Sequence, residues 1–440
     1  MPKPIVAIVG RPNVGKSTFF NYLIGQRISI IEDTPGVTRD RIYGESEWRG
    51  RSFTIIDTGG LEPHSDDYIK KQMLQQAQIA IDTADVILLM VDAKSGMTAA
   101  DQDVATMLRK TKKPVLVVVN KVDSIGELPP EVFEFYNLGM GEIFPISSIH
   151  GLGMGELLDA IYENFPEEKE SEEDEDVIKV AIIGKPNVGK SSIINRILGE
   201  NRVIVSNIPG TTRDAIDTYY EIDGKRYMFI DTAGIRRQSR INENIEKYSI
   251  IRSWAAVDRA DVCIIMIDAQ EGVTEQDTKI AGYAHEKGKA SIIAINKWDA
   301  VEKETGTLEN YRKQVYQDLE FMDYAPVVFV SAKTGQRINR LLELIDFVYD
   351  QAVLRVQTGV LNDVLNDAVA MVQPPSDKGK RLKIYYMTQT GVKPPTFILF
   401  VNNKELLHFS YERYLKNTLR NNFGFEGTPI NFIVREKGEE

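Results

Sequence analysis

Short, unbroken apolar runs recur along the chain, separated by longer stretches in which apolar and polar residues mix at spacings a helix can use. "IVAIV", "SFTIID", "VILLMVD", "VLVVVN" and "FPISS" fall between residues 5 and 148, and "KVAII", "RYMFID", "CIIMID", "IIAIN" and "VFVSA" repeat that order between residues 179 and 332. A strand exposed on one face alternates apolar with polar residues, whereas a parallel strand covered by helices on both faces reads as a continuous run. The pattern predicts two consecutive doubly wound α/β domains with mostly parallel sheets. Beyond residue 350 the rhythm changes. A helical stretch, "VQTGVLNDVLNDAVAMV", should stop at "QPPSDKGK". The strand-like runs "RLKIYYMTQ" and "TFILFVN" follow, then a helix, "SYERYLKNTLRNNFG", with Ser410 as N-cap, Glu412 in its first turn and Gly424 as its stop. "PINFIVRE" closes the chain as a strand. This α-β-β-α-β order predicts a small open α+β sheet with helices on one face.

The repeat sets the domain organisation: 1–166 and 177–350 for the two α/β domains, 351–440 for the small third domain, and 167–176 for a linker. A chain of 440 residues is expected to form about two to four domains, and three fit. The net charge of −11 would argue against a nucleic-acid partner if evenly spread, but "EEKESEEDED" at 167–176 carries eight acids and one lysine. Residues 352–440 hold twelve Lys or Arg against nine Asp or Glu. The linker's self-repulsion and lack of apolar surface leave nothing to order it. The single cysteine, Cys263, lies in an apolar run and excludes both an intramolecular disulfide and a multi-cysteine metal site. No stretch approaches the roughly 20 apolar residues of a membrane helix, and the apolar run before Gly10 is too short for a signal peptide. The expectation is a cytoplasmic protein with no membrane partner.

The chemistry lies in three motifs, each present twice. "GRPNVGKS" at 10–17 and "GKPNVGKS" at 184–191 are one loop repeated at an offset of 174 with one letter changed. The pattern GxxxxGK[ST] after a strand places backbone amides and a helix N-terminus around phosphate oxygens. Its expected shell is Gly10, Val14, Gly15, Lys16, Ser17 and Thr18 in the first copy, and Gly184, Val188, Gly189, Lys190, Ser191 and Ser192 in the second. Lys16 and Lys190 reach for the β- and γ-phosphates, and Ser17 and Ser191 offer hydroxyls to Mg²⁺. Asp57 and Asp231 each lie 41 residues after the loop lysine and open "DTGG" and "DTAG". Each is expected to hold the Mg²⁺ shell, with Gly60 or Gly234 bringing an amide to the γ-phosphate. "NKVD" and "NKWD" then select the base. Asp123 or Asp299 can accept both N1–H and the 2-amino group of guanine, and adenine offers no such donor pair, so the nucleotide is GTP. Asn120 and Asn296 brace the base and neighbouring loops, with Lys121 and Lys297 beside them. Ser147 with Ser148, and Ser331 with Ala332, follow the last strand, where the backbone at Ser148 or Ala332 is expected to donate to guanine O6.

Two such modules, with "TPGVTRD" and "IPGTTRD" between the loop and the Asp motif and a small domain after them, closely resemble the tandem-GTPase family called Der or EngA. The resemblance spans essentially the whole chain. It implies a bacterial, cytoplasmic, monomeric GTPase that cycles between GTP and GDP with Mg²⁺. It further implies a role in maturation of the large ribosomal subunit, with rRNA as partner and a KH-like third domain. Thr38 and Thr212 match the switch threonines that join the Mg²⁺ shell, although Val37 stands where the second copy has Thr211. Asn13 and Asn187 match the asparagine that helps bind K⁺ in related GTPases, where the cation takes the charge role of an arginine finger.

Leu61 and Ile235 occupy the place of the water-orienting glutamine of Ras-like proteins, and an apolar side chain cannot hydrogen-bond that water. Two readings follow: slow hydrolysis in both domains, or a GTP-dependent RNA- or protein-binding scaffold whose hydrolysis is vestigial in one or both. A regulatory or tRNA partner is a third. In the third domain Lys378, Lys380, Arg381 and Lys383 adjoin Tyr385 and Tyr386, a composition that suits RNA phosphates and base stacking. It equally suits a solvated loop running into a strand whose aromatics face the core. "GFEG" at 424–427 matches the GxxG of KH modules, but it falls between a helix and a strand and carries Glu426, so it reads as a turn. Arg236, Arg237 and Arg240 follow "DTAG", where they can meet RNA or the third domain, or simply begin a solvated helix.

Overall fold

The computed structural model describes residues 3–25, 43–57, 74, 77–78, 80–81, 83–123, 128–166, 177–200, 204–205, 217–222, 224–230, 246–377 and 380–436. The chain divides into two compact units, Met1–Glu173 and Asp174–Glu440, each taken here in its own frame. Thr38, Gly60, Thr212, Asp231 and Gly234 lie outside the described residues, as do Val37, Leu61, Thr211, Ile235 to Arg240 and Lys378.

The first unit contains β1 (Ile5–Val9), α1 (Lys16–Gly25), β2 (Tyr43–Trp48), β3 (Arg51–Asp57), β4 (Val86–Asp92), α2 (Ala99–Leu108), β5 (Val115–Asn120), β6 (Ile143–Pro145) and α3 (Met154–Glu163). Its sheet runs β2-β3-β1-β4-β5-β6, parallel throughout except for β2, which is antiparallel to β3. Every residue of β1 and β4 is buried, which is what their unbroken apolar runs require. Phe19, Phe20 and Leu23 of α1 and Leu157, Leu158 and Ile161 of α3 pack on Val6, Ile8, Leu88 and Met90.

The second unit repeats this plan with β7 (Val177–Ile183), α4 (Lys190–Glu200), β8 (Ile204–Val205), β9 (Thr218–Ile222), β10 (Lys225–Phe229), α5 (Glu246–Arg259), β11 (Val262–Asp268), α6 (Glu275–Glu286), β12 (Ala290–Asn296), α7 (Thr307–Asp318), β13 (Val327–Phe329) and α8 (Ile338–Val353). The sheet order β13-β12-β11-β7-β10-β9-β8 matches the first, with β8 added at one edge. Ile193, Ile197, Leu341 and Ile345 fill one side of it, and Val257, Ile280, Ala281 and Ala284 the other. Cys263 is buried in β11, where burial pushes its thiol up to about 12, out of reach of thiolate chemistry.

The same unit continues into α9 (Thr358–Met371), a two-stranded ladder of β14 (Ser376–Asp377) and β15 (Lys380–Arg381), then β16 (Ile384–Gly391), β17 (Thr396–Val401), α10 (Phe409–Phe423) and β18 (Asn431–Glu436). β17 lies between β16, antiparallel, and β18, parallel. Leu361, Leu365, Leu415 and Leu419 bury one face of this sheet through Met387, Phe397, Leu399 and Val401. Two details differ from expectation. The stretch "QPPSDKGK" ends α9 but also carries the small ladder. The N-cap of α10 is His408 rather than Ser410: the imidazole accepts from Ser410 N at 3.4 Å, so the serine sits within the first turn.

"GFEG" is a turn, as expected, and the turn is a joint. Phe425 N donates to Gln351 Oε1 (2.6 Å), Gly427 N to Tyr324 O (2.8 Å), and Ser291 N to Gly427 O (2.7 Å). Gly427 has φ of +79°, and a Cβ there would stand 2.2 Å from Val348 Cγ1, so only glycine fits. Lys393 N donates to Ala352 O (3.0 Å), while Lys393 Nζ reaches Tyr349 Oη (2.9 Å) and Asp261 (3.1 Å). Asp261, Ser291 and Tyr324 precede or begin β11, β12 and β13. The third domain is therefore seated at the N-terminal ends of the parallel strands, opposite the ends that carry the repeated loops. His285 bonds Tyr324 Oη (2.9 Å) beside this seam. Burial, then the positive charges of Lys416 and Arg420, outweigh the opposing Asp323 and lower the imidazole pKa from 6.5 to about 4.

A histidine kept neutral on folding binds its proton in the unfolded chain first, so stability is full above pH 6.5 and falls as pH drops toward about 4. His285→Gln, which keeps a hydrogen-bonding group without a titrating ring, should flatten this fall in urea unfolding of the whole chain. Equal slopes in the two proteins would contradict it.

Candidate functional site

Each phosphate-loop motif leaves its first strand through a glycine that must lie close to a neighbour. A Cβ on Gly10 would stand 2.3 Å from Met90 O, and one on Gly184 would stand 2.6 Å from Met266 O. The loops then turn through Asn13 and Asn187 in the left-handed region, at φ of 65° and 62°. Gly15 and Gly189 follow at 98° and 101°, each with room for no Cβ because the amide nitrogen of Asn120 or Asn296 would be 2.2 Å away. The helical ladder starts with Phe19 N on Gly15 O and Ile193 N on Gly189 O, both at 3.0 Å. The N-termini of α1 and α4 thus face the loops, the arrangement that favours an anion. Lys16 Nζ donates to the carbonyls of Gly10 (2.7 Å) and Arg11 (2.8 Å), and Lys190 Nζ to those of Gly184 and Lys185 (both 2.7 Å). Thr18 and Ser192 follow on the first turns.

Ser17 Oγ donates to Asp57 Oδ2 at 2.8 Å, bringing a hydroxyl and a nearly inaccessible carboxylate side by side at the head of α1. That pair of hard oxygens fits a Mg²⁺ shell. In the second unit Ser191 opens α4 in the same position.

The base motif is tied to the phosphate motif directly. Asn120 Nδ2 donates to Val14 O and Asn296 Nδ2 to Val188 O, both at 2.8 Å. Asn120 Oδ1 accepts from Ser148 N (3.0 Å) and Ser148 Oγ (2.9 Å); Asn296 Oδ1 accepts from Ala332 N (3.0 Å). The amides expected to donate to guanine O6 thus donate here to the asparagines, which gives those asparagines three loops to hold together. Ser147 Oγ donates to Asp123 Oδ1 (2.7 Å) and Ser331 Oγ to Asp299 Oδ1 (2.6 Å). Hydrogen bonds from Lys94, then Ser147, hold the Asp123 carboxyl below the usual carboxylate range, and the bond from Ser331 does the same for Asp299. Both remain ionised acceptors at neutral pH. Lys121 Nζ bonds Asn13 O (2.7 Å) and Asp92 Oδ2 (2.6 Å); Lys297 pairs with Asp268. Burial acts to raise the Asp92 carboxyl, but the bonds from Lys121 and Lys94 N outweigh it and the net shift is downward.

In the first unit these groups line a cavity of about 370 Å³. All its lining residues were expected from the motifs except Ile149, whose side chain is 73% exposed at the rim. Sequence reasoning also missed Lys94, and it missed the meaning of the one letter that differs between the loops. Arg11 in one and Lys185 in the other lie against the same partner, the capping-box carboxylate of the following helix: Arg11 Nε is 3.3 Å from Asp101, and Lys185 Nζ is 3.7 Å from Asp277. The recurrent "T..D" after "DA..G" was the available signal.

The third domain settles an alternative left open by composition. Tyr385 and Tyr386 are 45% and 43% exposed, so they are not core residues. Tyr386 stacks on Phe400 (4.2 Å, 15°), and Arg435 lies in register with Phe400 on the other side, forming one cross-strand row on the face away from α9 and α10. Lys380, Arg381 and Lys383 are exposed at the start of this sheet.

Two sheets of one order, each with a phosphate loop heading its first helix and an Asn-Lys-x-Asp motif closing the strand two places away from the first, define a tandem P-loop GTPase, a GTP hydrolase. The family profile described as "50S ribosome-binding GTPase" matches residues 5–121 and 179–297. The profile for the C-terminal KH-domain-like region of EngA bacterial GTPase enzymes matches residues 355–435. GTPase Der of Acetivibrio thermocellus and GTPase Der of Ruminiclostridium cellulolyticum are each 72% identical to this chain over 440 residues, covering 100% of both partners. The chain belongs to the Der (EngA) family. Among solved structures, Era of Aquifex aeolicus bound to GDP·AlF4⁻ is 20% identical, with a TM-score of 0.29, covering 60% of this chain and 93% of that one. No helix among the described residues is long and apolar enough to cross a membrane.

Asn120→Ala strands a buried carbonyl and a buried amide, at about 1–3 kcal/mol for each unsatisfied group. It should lower unfolding stability by about that much and weaken GDP binding at the first site at least tenfold. Asn296→Ala should do the same at the second. Isothermal calorimetry beside urea unfolding checks both, and unchanged affinity with lowered stability would reduce the asparagine to scaffolding.

Proposed function

We propose that this GTP hydrolase acts in assembly of the large ribosomal subunit, with the nucleotides in its two domains controlling how tightly it holds rRNA. The observation that carries the RNA reading is the row Tyr386, Phe400 and Arg435, exposed at both ends and half-buried at Phe400, with Lys380, Arg381 and Lys383 beside it. Rings that can stack on bases, next to cations that meet phosphates, suit single-stranded or looped RNA. "GFEG" plays no part, since it is engaged in the seam. The protein works as a cytoplasmic monomer.

At each site Asp123 or Asp299 accepts the two donors of guanine, and the loop amides take the β- and γ-phosphates. Lys16 and Lys190 exchange their loop carbonyls for phosphate oxygens. Ser17, Thr38 and Asp57, and Ser191, Thr212 and Asp231, hold Mg²⁺, which neutralises charge on the phosphates when bound. Gly60 and Gly234 bring an amide to the γ-phosphate. Asn13 and Asn187, exposed on their loops, help bind K⁺. Leu61 and Ile235 give the attacking water no hydrogen bond, so turnover is slow until a partner or cation supplies what is missing. The seam with the third domain lies at the far ends of the strands from Lys190, so nucleotide gating works by exposing or covering surfaces rather than by loosening that seam.

A second reading, a GTP-dependent RNA- or protein-binding scaffold with hydrolysis vestigial in one or both domains, is favoured by the apolar Leu61 and Ile235. Separate Lys16→Ala and Lys190→Ala variants decide it. Partial loss of turnover in each, with the remainder faster in K⁺ than in Na⁺ at matched ionic strength, is expected; loss confined to one variant would establish the scaffold, and equal rates in the two salts would remove K⁺.

Sedimentation with purified ribosomal subunits, in a non-hydrolysable GTP analogue and in GDP across a salt series, tests the partner. Co-migration with the large subunit in the analogue only, weakening steeply with salt, is the expected result. Absence of binding in every state would leave the GTPase and remove the ribosome.

A further inference from the structure

The two base-reading carboxylates differ in one contact. Asp123 and Asp299 each accept a serine hydroxyl on Oδ1, but Asp123 Oδ2 also accepts from Lys94 Nζ at 2.6 Å. Among the described residues no lysine or arginine lies within ion-pair distance of Asp299, on which Lys333 and Lys303 act only from farther away, and the residue in the place of Lys94 is Gln270. Lys94 is well placed for this contact. It lies in the short turn Ala93–Ser95 directly after β4, and its backbone N donates to Asp92 Oδ1 (2.9 Å). The other oxygen of Asp92 holds Lys121 (2.6 Å), so one carboxylate positions both the lysine of the base motif and the root of Lys94.

We propose that Lys94 is a specificity-independent competitor for the guanine site of the first domain, occupying one of the two carboxylate oxygens that the base needs and thereby making this the faster-exchanging of the two sites. This rests on the reading of Asp123 as the guanine acceptor. A guanine entering the first site must break an ion pair to gain its second hydrogen bond, whereas among the described residues Asp299 has no such pair to break and feels only the more distant charges of Lys333 and Lys303. Ser147 need not move, because its bond is made to the other oxygen. The effect is modest by construction. Lys94 and Asp123 are 65% and 32% exposed, and a pair so exposed changes an equilibrium by about fivefold at most. Over a nucleotide cycle that difference biases the first site toward faster exchange than the second.

The test uses the full chain with one site silenced and fluorescent GDP as the probe. In a Lys190→Ala background, Lys94→Gln should bind GDP about threefold to fivefold more tightly, chiefly through slower release, with the gain shrinking as salt screens the competing pair. In a Lys16→Ala background, Gln270→Lys should weaken the second site by a similar factor. Unchanged or weakened binding in Lys94→Gln would overturn the proposal, the latter by making Lys94 a ligand-side contact. Asp123→Asn separates the two failures. An amide there should trade guanine for xanthine nucleotides, since it offers a donor to the xanthine 2-oxygen. If that switch occurs and Lys94→Gln changes nothing, only the competitor fails; if the switch does not occur, the base reading fails with it.

Discussion

Each candidate nucleotide site is held together by a single side-chain amide. Asn120 and Asn296 are the groups that convert three separate chain segments into a site: the phosphate loop through a carbonyl, the base motif that contains them, and the loop after the last strand through a backbone amide. Their burial removes water as a substitute partner, so the bonds to the two flanking segments must be made together or at a cost to each. The requirement for glycine at positions 15 and 189 follows from the same amide, which fills the space that any Cβ would need. The glycine that a motif search reads as phosphate-binding is thus also dictated from behind, by the base side of the site.

Much of this was legible in the chain. Continuous apolar runs mark β1, β4, β7 and β11 because strands covered on both faces have no polar side to reveal. The loop and Asn-Lys-x-Asp motifs identified eight of the residues that line the first cavity and the serine pair after the last strand two more, since phosphate and guanine chemistry restrict which residues can serve. What was not legible shares a cause. Ile149 and Lys94 are neighbours in space contributed by turns whose sequence is unremarkable, and the partners of Arg11 and Lys185 are capping-box carboxylates whose motif announces a helix start but not what else approaches it. His408 displaced Ser410 as the cap of α10 because an imidazole nitrogen can accept as a serine oxygen does, an equivalence that propensity ranks poorly. "GFEG" was recognised as a turn but not as a joint, because the groups it meets, two main-chain atoms and the Gln351 side chain, belong to residues far along the chain.

The two halves share a plan and differ where the plan allows it. Arg11 and Lys185 differ in shape but approach a carboxylate already committed to a helix cap, so the exchange leaves the loop geometry intact. Ser148 and Ala332 differ by a hydroxyl, yet both present the backbone amide that the asparagine requires. Divergence is tolerated wherever the shared contact is made by the backbone or by a charge, and it is absent at the asparagines, where the contact depends on one side chain having both a donor and an acceptor.

The seam between the second GTPase domain and the third obeys the same rule to a different end. Its central bonds join Gly427 to Ser291 and Tyr324 through main-chain groups. Bonds of that kind carry no information about which side chains surround them. Surface drift on either side can change the outer face of the third domain without detaching it, which makes the seam a fixed mount for a variable surface. A molecule designed to pry it loose would have to imitate an extended peptide rather than a nucleotide.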